Sequence, residues 1–355
     1  MSAHARSQMQ AFRKAFVHGL IAVALVYGLL AAELRHLTPA TMRHLQEKLP
    51  FAVAEIEFPP VQQLYGPPAP KNPVAPHVDN NQQSGQETAA LPVAPIDGLY
   101  EPGPKGRLPV IRKSDGMTPF KAYRRPFDRS TANGPIISIA IMDMGISSSA
   151  SETALADMPP EVSFDLSPYT TDPDKLMAAA REKGHEVWLT LPMESDDYPR
   201  VDTGADTLLI GMPEQQNAIK LAQALGSTVG YAGVITSHNP AFMRSLSDMK
   251  PILNDIYDRG LGFIDSSATP GAEPQTLAMH RNAPYASVDI WIDMPATPDD
   301  IEKALARLEQ RARERGSAVG IIHPLPVSYQ EIGKWIAGLK DKGLTLAPLS
   351  AQTGM

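Results

Sequence analysis

Carboxylates and imidazoles recur in this sequence at the ends of short apolar runs. In order they are Asp143 after ISIAIM, Asp165 after VSF, Ser237–His238 after GVIT and Asp265–Ser266 after GFI. Asp289 and Asp293 stand on either side of IWI, and His323 follows VGII. Oxygen and nitrogen donors of this kind suit a metal site in which the ion polarises an acyl carbonyl and lowers the pKa of a bound water. There is no HExxH, no G-x-S-x-G and no glycine-rich phosphate loop, so the common hydrolase and kinase signatures are absent. Cysteine is absent too, which removes thiolate metal sites and disulfides.

Elements that could position these side chains begin at Ile136. PIISIAIMDMG, EVSFDLSPY, HEVWLTLPM, YAGVIT, LGFIDS, SAVGIIHP and LTLAPLS read as strands. Between them SSSASETALADM, DPDKLMAAAREKG, PEQQNAIKLAQALG, residues 239–260, residues 297–316 and SYQEIGKWIAGLKDKG read as helices, several ending in glycine. Alternation of this kind predicts parallel βαβ units. Seven or so strands over roughly 220 residues suit an α/β fold of the barrel type better than a dinucleotide fold. Strand ends of such a barrel share one mouth, and the acids and histidines fall there.

Ahead of that domain the chain changes character twice. Residues 1–35 hold a basic flank (Arg6, Arg13, Lys14) and the apolar run Ala15–Ala32, long enough to cross a bilayer, with cleavage after LLAA as the other reading. Residues 36–97 form a proline-rich stretch without helical or strand period, which predicts a flexible linker. Half of the chain's 34 prolines lie between residues 36 and 135. Within 98–135, turn signals separate short apolar pieces and aromatics, predicting an extended arm that packs on the barrel, or else more linker. A net charge of −7 offers no basic stripe to replace phosphate counterions, so nucleic acid is not an expected partner.

ISIAIMDMG, EVWLTLPME, GYAGVITSHNPAF, GLGFIDSSATPG, VDIWID, GSAVGIIHPLP and LTLAPLS follow one another in the order of the divergent polysaccharide deacetylase family, and residues 136–352 resemble that family. The resemblance implies a distorted (β/α) barrel of the glycoside hydrolase/deacetylase type, related to carbohydrate esterases that remove N-acetyl groups with a divalent metal. It also implies site residues. Members with a complete site have Asp-Asp before the glycine of the first strand, the first as base and the second on the metal. Here Met142 takes the first position and Asp143 the second. A metal-binding histidine after the fourth strand aligns with Ser237, leaving His238 one residue late. Asp265 and Ser266 match an Asp-Ser pair, and His323 matches the histidine of a Gly-His-Pro motif whose glycine is Ile322.

The expected catalytic set is therefore Asp143, Asp265 and His323. The expected ligands of a divalent metal, zinc first, are Asp143, His323 and His238, with no metal if the site is degenerate. A methionine cannot take a proton from water, so general-base help of about 10²–10⁴-fold is missing. Trp291 with Asp293 and Ser266 would contact a sugar, unless the Asp–Trp–Asp face is simply solvated. Plainer roles stand beside these. Asp143 could cap the helix at SSSASE, Asp265 could bond its own turn, and Glu194–Leu209 could be a solvated acidic loop. The whole predicts a single-pass inner-membrane protein with its C-terminal domain in the periplasm. That domain would act on envelope polysaccharide as a weak metal-dependent deacetylase or a glycan-binding pseudoenzyme. The alternative is a scaffold that docks a periplasmic protein and has no carbohydrate ligand.

Overall fold

The computed structural model describes residues 90–238, 240–267 and 271–354. The apolar run Ala15–Ala32 and most of the proline-rich stretch lie outside them. Among the described residues no helix is long and apolar enough to cross a membrane.

After a small antiparallel pair, β1 (Tyr100–Pro102) and β2 (Arg107–Pro109), comes the short helix α1 (Pro119–Tyr123). Parallel strands β3 (Ile136–Met144), β4 (Ser163–Leu166), β5 (Val187–Leu191), β6 (Gly233–Thr236), β7 (Gly262–Asp265) and β8 (Tyr285–Ser287) then lie side by side in sequence order. On the far side of β3 sits β10 (Ser317–Ile322), and beside it β9 (Ile290–Trp291). The sheet's two edges are thus β8 and β9, which only Val288 and Asp289 separate in the chain. That link forces the sheet to curl round on itself into a barrel with one seam. β11 (Thr345–Leu346) pairs with the first residues of β3.

Both faces of the strands are covered, which is why they read as unbroken apolar runs rather than as alternation. Ile137, Ile139 and Ile141 join the outer core under the helices, whereas Ala140 and Met142 face the barrel interior with Trp188 and Ile264. The outer helices are α2 (Ser148–Asp157), α3 (Pro173–Glu182), α4 (Glu214–Leu225), α5 (Leu246–Asp258), α6 (Ala272–Arg281), α7 (Pro298–Arg315) and α8 (Pro326–Ala337). Asp172 and Thr297 cap α3 and α7, each followed by a proline in the first turn, where a missing N–H costs nothing. The helix predicted over 239–260 is divided. A short 3₁₀ turn, Ala241–Arg244, ends at an extended Ser245 before α5 begins. α6 and β8 fall in a stretch where the sequence reading placed no element.

The arm fills the barrel end where the strands start. Leu99, Phe120 and Tyr123 are buried in the same interior cluster as Trp188. Room for them comes from glycine: a Cβ on Gly262 would lie 2.9 Å from both the Phe120 and the Trp188 rings. Buried Glu186 accepts hydrogen bonds from the Trp188 indole (2.6 Å), the Arg125 amide and the Ser350 amide (both 2.9 Å). Buried Arg181 donates to the Pro92, Tyr123 and Gly230 carbonyls at 2.7–3.2 Å, tying the arm to α3.

Candidate functional site

The mouth is made at the end of β3. Ala140 and Ile141 pair with Ser163 and Phe164, but the next pair is Met144 with Leu166, so β3 spends one residue more than β4. This bulge turns the chain out of its two-residue period, and Asp143 takes a left-handed φ of +56°. Strict alternation would aim Asp143 at the helices with Ile141. The bulge instead puts Met142 and Asp143 on the same cavity, of about 440 Å³, with Thr190, Ser237, His238 and His323. His238 reaches it because β6 has already ended at Thr236. Ser147, not Asp143, caps α2, accepting from the Ala150 amide.

The electrostatics of this mouth are uneven. Burial pushes the Asp143 carboxyl up from its ordinary value and the charge of His323 partly offsets that, with no hydrogen bond contributing. Asp165, on the neighbouring strand, is wholly buried and held well above the usual carboxylate range, first by burial and then by the charge of Asp143. Thr190 donates to its Oδ2 at 2.6 Å, while Oδ1 has no partner. His323 Nδ1 donates to Asp293 at 2.9 Å, and this bond raises the imidazole's pKa. Asp293 is buried and also accepts from the His323 amide and the Ser328 hydroxyl, both at 2.7 Å. His238 is lowered by burial and then by the charge of His323.

A divalent metal does not fit these residues. Among the described residues no group of three or more His, Asp or Glu side chains is placed to hold one, whereas a catalytic zinc uses three protein ligands. His323 gives its Nδ1–H to Asp293, an orientation that a metal-bound histidine also has, so the shortfall is in the number of ligands and not in this imidazole. Trp291 packs against both imidazoles, its ring 4.5 Å from His238 and 5.4 Å from His323.

Several predicted site residues stand elsewhere. Asp265 is fully buried on the helix-facing side of β7, in step with Phe263. Its Oδ1 accepts from the Ser267 amide and hydroxyl at 2.9 and 2.5 Å, and Tyr285 reaches its Oδ2 at 3.4 Å. It therefore lies off the cavity. Ser266 is buried as well, bonded to Thr236 and to the Ser237 carbonyl, and offers nothing to a sugar. Trp291 gives its N–H to the Ser266 carbonyl and supports the histidines rather than lining the cavity. Asp293 is turned inward to His323, while Asp289 sits at the other end of β9 with Arg311 and Arg315, so both acids are paired rather than free beside Trp291. The acidic loop is the converse case. Asp196, Asp197 and Asp202 form a wall of the cavity, and half-exposed Tyr169 and exposed Ile146 its rim. Tyr169 was not singled out from the sequence; SPY directly after a strand, with the tyrosine on the following loop, was the available signal.

A curled parallel α/β sheet with its acids and imidazoles at the strand ends is the architecture of the (β/α) barrels, whose sites gather at that end. A family profile described as divergent polysaccharide deacetylase matches residues 139–353, more than half of the chain. The chain belongs to that family. It is similar to the uncharacterized protein YibQ of Escherichia coli K12, 24% identical over 204 residues that make up 57% of this chain and 63% of that protein's length. The crystal structure of the uncharacterized protein ATU2773 from Agrobacterium tumefaciens C58 superposes with a TM-score of 0.65 at 31% identity, covering 69% of this chain and 99% of that one. The catalytic domain of a peptidoglycan N-acetylglucosamine deacetylase from Eubacterium rectale is far more distant, at TM-score 0.38 and 13% identity over 64% of this chain and 97% of that one.

Proposed function

We propose that this domain binds an envelope polysaccharide in the strand-end cleft, and binds it without turning it over. In this reading the run Ala15–Ala32 holds the protein in the inner membrane, and the proline-rich linker carries the domain into the periplasm. The observation that carries the proposal is the convergence of Asp143, His238 and His323 on one cavity with an aromatic, Tyr169, at its rim. Polar groups for hydroxyls beside an apolar ring face are what a sugar needs. Among the described residues no three such side chains are placed closely enough to hold a metal, which favours binding over metal-assisted hydrolysis.

The test is sedimentation of the purified full chain with insoluble chitin, chitosan, peptidoglycan and cellulose, beside an Asp143→Ala/His323→Ala variant, with acetate release followed with and without added zinc. The expected outcome is retention on at least one polymer, lost in the variant, and no acetate. Zinc-dependent acetate release abolished by the variant would replace this reading with a working deacetylase. Retention on none of them would favour a scaffold that docks a periplasmic protein.

A further inference from the structure

Tyrosine at a protein surface ordinarily buries its ring and keeps its hydroxyl in water. Tyr169 does the reverse. Its hydroxyl accepts from the Asp206 amide at 3.0 Å. Gly204 packs so close that a Cβ there would lie 2.5–2.6 Å from the tip of the ring and from the hydroxyl oxygen. The side chain is nonetheless 38% exposed and lines the cavity. With its polar tip occupied, what it offers the cavity is the ring. That ring is held from two sides. The Tyr169 amide donates to the Ser167 hydroxyl at 3.3 Å and the Thr170 hydroxyl to the Ser167 carbonyl at 2.7 Å, which fixes the turn after β4. Lys105 of the arm reaches Asp206 at 3.4 Å, and Lys220 of α4 donates to the Ala205 carbonyl at 2.5 Å, anchoring the loop that grips the hydroxyl.

Exposed Ile146 and Val201 stand on the same cavity. Apolar surface held in water around a cavity is unfavourable until something covers it, and it marks a binding groove. We infer that Tyr169 is the stacking platform of the cleft, and that the chain it selects is a β-linked, all-equatorial pyranose polymer with one ring flat on the tyrosine. The inference rests on the glycan-binding reading above and narrows it. In such a sugar the hydroxyls point outward around the edge and both faces carry only C–H, so a face can meet an aromatic ring over its whole area. The edge hydroxyls are then left to the polar groups of the cavity. An α-linked chain coils, so its successive rings share no extended flat face.

Calorimetric titration of the full chain with cellohexaose, hexa-N-acetylchitohexaose and maltohexaose, with tyrosine absorbance difference spectra taken alongside, tests this. One of the two β-linked hexamers is expected to bind about tenfold tighter than maltohexaose and to perturb a tyrosine. Tyr169→Phe keeps the ring and is expected to bind within about threefold of the parent while losing the tyrosine signal. Tyr169→Leu keeps apolar bulk but has no flat face, and is expected to lose about tenfold. Binding by Tyr169→Leu equal to that of the parent, to a hexamer or to a polymer in the sedimentation test, overturns the platform and leaves glycan binding standing. So does a loss in Tyr169→Phe as large as that in Tyr169→Leu, or a tyrosine signal that persists in Tyr169→Phe. Equal or tighter binding of maltohexaose overturns the chain class. Binding of none of the hexamers, nor of the polymers, overturns both readings.

Discussion

The two ends of the barrel both bury ionisable residues but surround them differently. At the end where the strands start, buried Glu186 receives three hydrogen bonds and buried Arg181 gives three, to the arm and to backbone, with Arg181 Nη2 alone left without a partner. Phe120, Tyr123 and Trp188 fill what space remains. At the other end Asp143 takes no hydrogen bond, Asp165 keeps one oxygen without a partner, and the backbone is strained at +56°. One end is closed by the arm and the other opens on the cavity. Parallel barrels divide stability and chemistry between their ends in this way.

The largest expected effects lie at the filled end. Phe120→Ala empties space against Trp188 and Gly262, and Glu186→Ala strands three donors. Each should cost about 3–5 kcal/mol of unfolding free energy, measured by urea denaturation. A loss below about 1 kcal/mol for both would mean that the arm is an accessory and not the barrel's floor.

A smaller effect is expected at the bulge, where the sign depends on the residue. Asp143→Val should destabilise by about 1–2 kcal/mol, because a β-branched side chain is poorly tolerated at positive φ. Asp143→Gly should cost little or stabilise, since glycine adopts that conformation freely. Equal losses for the two would mean that contacts of the carboxylate, and not backbone strain, set the stability here.

What could be read from the sequence divides along the same line. The strands and helices after Ile136 were legible because their signals are local: apolar runs of strand length, caps at Ser147, Asp172 and Thr297, and glycines just past α4 and α7. His323 and Asp143 could be placed at the mouth because both close such runs. What the sequence hid depends on pairing between distant strands. The bulge exists only relative to β4, so Asp143 and Met142 sharing one cavity could not be seen in IMDMG alone. Asp265 could have been excluded, since two-residue alternation places it with Phe263 on the outer face, but that needs the parity of each strand around a closed ring. Proline and glycine made the arm read as extended, yet its aromatics, Phe120 and Tyr123, form the floor. The acidic loop gave only its composition, not its position over the mouth.

The subtlest way to sharpen the comparison is through pH, because one buried group at each end, Asp165 and His185, should titrate with opposite sign. Asp165, at the open end, has a folded pKa raised above its unfolded value of about 3.8. Its contribution is fully present below that value and is lost as pH rises through the raised pKa. His185 lies at the filled end, stacked on Phe164 and bonded through Nδ1 to the Val162 carbonyl at 2.8 Å, with its folded pKa lowered to about 4. Its contribution is present above about 6.5 and is lost as pH falls toward about 4. Each group bends the stability curve by at most about 1.4 kcal/mol per pH unit, and between those limits the two oppose each other. Asp165→Asn, which can still accept from Thr190, should leave a curve that climbs more steeply with pH across this window than that of the parent. His185→Asn, which can still donate to Val162, should leave one that climbs less than that of the parent. Urea midpoints collected between about pH 4 and pH 7 would show this. If both variants bend the curve the same way, the contrast between a satisfied end and an unsatisfied one fails at its most direct electrostatic consequence.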